Sequence, residues 1–125
     1  MRFIPLALGL MATTSSVIAS PTDVQSVTVQ LSNEQSGANA NVDIPTDGNQ
    51  RSIQSLWGHT DVTVKGVVTA SSAQFNKFQQ TSHCKIVQQP DVNAELNAQQ
   101  TWVSLNQGKL VQLSHGHIRC WESKN

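Results

Sequence analysis

Residues 27–31 read Val-Thr-Val-Gln-Leu, and this alternation of apolar and polar side chains decides the fold. Successive side chains of a strand point to opposite faces, so the three apolar residues share one face and the two polar residues share the other. The same period of two returns at Val42 and Ile44. The pattern predicts half-buried strands of an antiparallel sheet.

Further strands are predicted downstream of this stretch. Residues 61–70 predict a longer strand in which Val64 points inward and Gly66 forms a bulge. Alternating segments at residues 103–105 and 111–113 flank a loop that contains glycine, which is typical of a hairpin. Alternation at Cys84 and at Cys120 predicts two more strands.

One short helix turn is predicted between these strands. Ser72 is a residue type that favours the N-cap position, and Phe75 and Phe78 stand three positions apart, as they would on one helix face. The whole pattern predicts an all-β fold, an antiparallel β-sandwich or small barrel of about seven to eight short strands with this one helix turn.

The N-terminus has the features of a secretion signal. Arg2 precedes an apolar run at residues 3–12, and residues 17–19 read Val-Ile-Ala, a small-residue cleavage pattern. The apolar run is too short to span a bilayer, and no second run of membrane length follows. We therefore expect a signal peptide at residues 1–19, a single secreted β-domain at residues 20–125, an extracellular location and no membrane anchor.

Cys84 and Cys120 are the two cysteines of the chain. In the oxidising compartment that secretion implies, two cysteines predict one structural disulfide bond. A redox function usually requires a nearby partner thiol, as in Cys-X-X-Cys, and this motif is absent from the sequence.

Charge excludes some classes of partner. The chain has no net charge at pH 7 and contains no acidic or basic block. A nucleic acid or an anionic membrane is therefore not expected as a partner. Glutamine and asparagine outnumber the charged residues in residues 20–125, which suits a secreted or wall-associated protein.

Three histidines form the one group with a metal-binding pattern. If the cysteines point inward, His83 and His117 point outward, and His115 lies two residues from His117 on the same side. The disulfide brings the two strands together, so the three imidazoles can converge on Zn²⁺ or copper. The alternative is that they are separate surface residues of a His-Gly-His turn. We favour the surface interpretation and predict no cofactor.

His59 and Asp61 are the residues from which a catalytic site could start. A histidine oriented by a carboxylate is the beginning of a general-base arrangement. No nucleophile elbow, zinc-protease helix, phosphate loop or dinucleotide motif accompanies the pair. We interpret the two residues as a solvated strand end and predict no enzyme, with a small metal-dependent or His/Asp hydrolase as an alternative.

Trp102 and Trp121 suggest binding of carbohydrate. Both are out of phase with the inward residues beside them, so each can lie on an outer sheet face. An exposed indole stacks against a sugar ring, and neighbouring amides can satisfy the sugar hydroxyls. A carbohydrate-binding module is therefore an alternative function, and ordinary packing of the two indoles is the competing interpretation.

Several stretches carry a resemblance to known proteins. The strand at residues 27–33 with the segment at 35–40, the segment at 72–75 leading to Cys84, and residues 96–103 resemble small secreted proteins of filamentous fungi. Some of these are candidate effectors or elicitors that act in virulence on a host. The resemblance implies a secreted interaction protein more than a catalyst, and it assigns a role to no residue. We therefore expect a secreted, non-catalytic binding protein whose partner is a host or cell-wall protein or polysaccharide.

Overall fold

The computed structural model describes residues 25–124, which hold eleven strands and one five-residue helix. The predicted signal peptide at residues 1–19 lies outside the described residues. The elements are β1 (Ser26–Asn33), β2 (Ala38–Pro45), β3 (Asp47–Ser52), α1 (Ile53–Trp57), β4 (Thr63–Val64), β5 (Val67–Ala70), β6 (Ser72–Lys77), β7 (Ser82–Gln88), β8 (Val92–Asn97), β9 (Trp102–Ser104), β10 (Val111–Gln112) and β11 (His117–Glu122).

Three antiparallel sheets form the fold. The first sheet has the strand order β9-β6-β1-β2, and the second sheet has the order β3-β11-β7-β8. A small sheet, β10-β5-β4, completes the structure. Short corners join the edges of the first and second sheets, one at Thr46 between β2 and β3 and one at residues 98–101 between β8 and β9.

All three sheets and α1 contribute to a single hydrophobic core. Val29 and Leu31 of β1 are completely buried, as their alternation predicts, and Ile86 and Ile118 enter the same core from the second sheet. The inward faces of both four-stranded sheets therefore cover one core, which is the arrangement of a β-sandwich. The predicted all-β class is confirmed.

The predicted disulfide bond is confirmed as well. Cys84 on β7 and Cys120 on β11 are directly paired in the register of the second sheet, and both are completely buried. Because side chains alternate along a strand, the residues on either side of each cysteine are directed to the outer face of this sheet.

The predicted helix at residues 72–78 is wrong, because that segment is strand β6. β6 pairs with β1 on one side and with β9 on the other, and Phe75 is buried opposite Val29. Pairing on both edges outweighs the local helical pattern. The helix of the described chain is α1, where the Ser52 hydroxyl accepts a hydrogen bond from the Ser55 N–H and caps the first turn.

The predicted hairpin at residues 103–113 is also wrong. β9 pairs with β6 of the first sheet, whereas β10 pairs with β5 of the small sheet. Backbone hydrogen bonds beyond the paired residues follow the same two pairings: Leu105 N–H donates to Ser71 O, and Leu113 N–H donates to Val68 O. Each segment pairs with the edge of a different strand, so β9 and β10 do not pair with each other.

Residues 61–70 form a hairpin instead of one bulged strand. Lys65 and Gly66 both have positive φ, at 53° and 82°, and connect β4 to β5. A two-residue turn with two positive φ angles matches the twist of a tight hairpin. Val64 is consequently 48% exposed and does not point inward as predicted.

Candidate functional site

The outer face of the first sheet carries a row of polar side chains that ends in a tryptophan. The strand register places Trp102, Gln74, Gln30 and Asn41 side by side across all four strands. Gln30 lies between two buried residues of β1, so this row faces away from the core. We call these four residues, together with Asn76, the amide face.

Hydrogen bonds hold part of the amide face in a fixed orientation. The Asn76 side-chain amide donates to Gln30 Oε1 at 2.7 Å and to Asn41 Oδ1 at 2.9 Å. Gln30 Nε2 in turn donates to Ser32 Oγ at 3.3 Å. The Gln74 amide, next to Trp102 in this row, can both donate and accept hydrogen bonds towards a ligand.

Trp102 is the most exposed aromatic residue of the described chain, with 49% of its surface accessible. It begins the edge strand β9 and borders a cleft of about 340 Å³. The cleft is also lined by Gln74 and by the end of β1, the following turn and the start of β2: Ser32, Asn33, Glu34, Gly37, Ala38 and Asn39. An indole at a cleft of this size offers a flat apolar surface beside many hydrogen-bonding groups.

Glu34 is the acidic residue of this cleft. Its carboxylate accepts hydrogen bonds from the hydroxyls of Ser71, at 3.2 Å, and Ser72, at 3.4 Å. A second cleft, bordered by Lys109, shares Glu34 as a lining residue. Sequence reasoning missed the amide face because single polar residues on alternate strand positions carry no motif, and it missed Glu34 because one acidic residue in a turn carries none either. Only their cross-strand register distinguishes them from ordinary surface residues.

Trp121 lies in the second sheet, so it does not share a face with Trp102. Its ring is stacked on the imidazole of His83, with centroids 5.4 Å apart and planes inclined by 10°. The Arg119 guanidinium also lies over the indole, 4.5 Å from its centroid. The Trp121 ring is therefore in contact with His83 and Arg119, whereas about half of the Trp102 surface is exposed to solvent.

The three histidines do not converge. His83 is opposite Trp121, whereas His117 is opposite Val87, four positions along β11 and about 13 Å away at the usual rise of a strand. His115 lies in the turn before β11. Among residues 25–124 no three His, Cys, Asp or Glu side chains lie close enough to hold a metal ion. The alternative of a three-histidine metal site is therefore wrong, because the register separates His83 from His117.

His59 and Asp61 lie in the turn between α1 and β4. Both are exposed, and in the described part of the chain no hydrogen bond joins their side chains. The intervening Thr60 hydroxyl donates to Trp57 O at 2.7 Å and so belongs to the end of the helix. The geometry provides no orientation of the imidazole by the carboxylate.

Comparison with protein-family models, with curated proteins and with solved structures found no match to this chain. The roles of its residues therefore follow from its own geometry. In residues 25–124 no helix is long and apolar enough to cross a membrane.

Proposed function

We propose that this protein is a secreted, non-catalytic binding protein that recognises a polysaccharide at a host or cell-wall surface. The observation that carries the proposal is Trp102, half exposed and aligned with three amide side chains on one sheet face. The buried disulfide and the predicted signal peptide support the extracellular part of the proposal. Effector-like action on a host is the setting that the fungal resemblance implies.

The chemistry of the face matches a neutral sugar. The C–H side of a pyranose ring stacks on an indole, and the ring hydroxyls need both donors and acceptors around them. The side-chain amides of Gln74 and Asn41 provide both kinds of group. The bond network around Asn76 fixes two of the amides before a ligand arrives, so less side-chain freedom is lost on binding.

The cleft beside Trp102 extends this surface beyond one sugar ring. The turn at residues 34–37 forms its far side, and Glu34 presents an acceptor held by two serine hydroxyls. An open face with a cleft at its edge suits a chain of sugars lying across the strands.

A pull-down with a panel of insoluble polysaccharides tests the proposal. The oxidised protein is incubated with chitin, cellulose, β-1,3-glucan and mannan, and the bound fraction is measured at several protein concentrations. Trp102→Ala should weaken binding about tenfold or more, as expected for a central aromatic anchor. Gln74→Ala should weaken it less.

Val64→Ala is the matched control, because Val64 is as exposed as Trp102 but lies in the small sheet. This variant and Trp121→Ala should bind like the wild type, with folding checked by circular dichroism. Retention of full binding by Trp102→Ala would contradict the proposed site. Absence of binding to every polysaccharide would contradict the function and favour a protein partner.

A further inference from the structure

A third cleft lies on the outer face of the second sheet, and its lining is basic. It has a volume of about 220 Å³ and is lined by Gln50, Lys85, Val87, His117, Ile118 and Arg119. We call this the basic cleft. It belongs to a different sheet from the amide face and does not depend on the function proposed above.

The strand register explains how the basic side chains come together. Gln50, Arg119 and Lys85 are directly opposite one another on β3, β11 and β7. His117 and Val87 form the next row on the same face. Three residues that can carry positive charge therefore meet here, although they are distant in sequence and the whole chain has no net charge.

Arg119 is oriented by an aromatic neighbour. Its guanidinium lies 4.5 Å from the centre of the Trp121 ring, and that ring is itself stacked on His83. A guanidinium stacked on an aromatic ring keeps the N–H groups at its edge available for a planar or tetrahedral oxyanion. The stack thus limits the freedom of the side chain before an anion binds.

In the part of the chain that the structure describes, the two permanent charges of the cleft are not paired with a carboxylate. In residues 25–124 neither Lys85 nor Arg119 forms an ion pair. Glu95 is opposite Lys85 in the register, but its carboxylate lies 3.5 Å from His83 Nδ1. Glu122, at the end of β11, accepts hydrogen bonds from the hydroxyls of Thr81 and Ser82 instead.

From this arrangement we propose that the basic cleft binds an oxyanion, either a carboxylate or a sulfate-type group. Arg119 and Lys85 supply the charge, the amide of Gln50 and the imidazole of His117 can donate further hydrogen bonds, and Val87 provides an apolar wall. The 220 Å³ volume accommodates one such group with a few attached carbon atoms.

Backbone amide NMR of the oxidised protein tests this site. Sodium sulfate and sodium acetate are titrated separately, with sodium chloride adjusted to hold the ionic strength constant. Saturable shifts should occur at the amides of Gln50, Lys85 and Arg119. Preference for sulfate over acetate indicates a tetrahedral ligand, the reverse indicates a carboxylate, and saturation by either supports the site.

Charge variants then assign the binding to named residues. Arg119→Gln should raise the dissociation constant about tenfold or more, because a hydrogen bond to a charged group is lost. Arg119→Lys keeps the charge but not the stacked fork, and should give an intermediate value. Lys65→Gln, an equal charge change in the exposed turn between β4 and β5, should leave the constant unchanged.

Three results would overturn the proposal. One is the absence of saturation with both anions, and another is a set of shifts located away from the basic cleft. The third is equal weakening by Lys65→Gln and Arg119→Gln, which would indicate general charge attraction. Lys85→Gln provides an independent check if Arg119→Gln perturbs the Trp121 stack, since it is the Arg119 guanidinium that lies over the Trp121 ring.

Discussion

Removal of the disulfide bond should cost this domain much of its stability. Cys84 and Cys120 are 36 residues apart, and a cross-link closing a loop of this length lowers the entropy of the unfolded chain by an amount worth about 3.8 kcal/mol at 25 °C. For a domain of this size the thermal midpoint should fall by roughly 15–30 °C. The C84A/C120A variant should lose slightly more free energy of unfolding than the reduced protein, because both cysteine side chains are completely buried and their removal leaves a cavity.

Urea denaturation at pH 7 measures the effect in four samples. The oxidised wild type is compared with the same protein reduced by dithiothreitol, which removes the cross-link but keeps both sulfur atoms in the core. The C84A/C120A variant, with and without dithiothreitol, controls for any other action of the reductant and should not respond to it. A loss below about 1 kcal/mol in the reduced, folded wild type would refute the entropic reasoning.

Three further predictions concern single residues. Trp57→Ala should cost about 3–5 kcal/mol in urea denaturation, because the ring is completely buried and its N–H donates to Ala40 O; a loss under about 1 kcal/mol would contradict the packing. Gly66→Ala should cost about 1–2 kcal/mol, since φ is 82° there, and Gly66→Asn should cost less by the same assay; equal losses would argue against a backbone cause. Arg51 donates to both carboxylate oxygens of Asp47 and holds the pKa of Asp47 well below its ordinary range. The unfolded carboxyl binds its proton below about pH 4, so the contribution of this pair is present above that pH and is lost as the pH falls. Asp47→Asn should therefore flatten the acid-side decline of the thermal midpoint between about pH 5 and about pH 2, and an unchanged decline would refute the linkage.

Sequence reasoning predicted well those parts of the fold in which the polarity of each residue matches its own burial. Val29 and Leu31 alternate with polar neighbours because one face of β1 is covered by the core. The same holds for Cys84 and Cys120, where the alternation also places the disulfide between two strands. Such patterns lie within one strand, so they can be recognised without knowing which strands it pairs with.

The errors occurred where a segment's structure depends on a distant strand. Phe75 and Phe78 fit a helix face, and their rings still contact each other although Phe75 lies in β6 and Phe78 just after it, with centroids 5.2 Å apart. The pairing of β6 with β1 decided between these two possibilities. The segments at residues 103–105 and 111–113 likewise alternate as a hairpin would, but each pairs with a different strand.

The candidate sites follow the same division. The sequence by itself determined that Trp102 lies out of phase with its inward neighbours and that polarity comes mainly from amides. Only the tertiary structure decided that Trp102 aligns with Gln74, and that Arg119 and Lys85 meet beside Gln50. Alternation records which face of a strand a residue occupies, whereas a binding surface depends on which strands are neighbours and in what register, and those are set by long-range contacts.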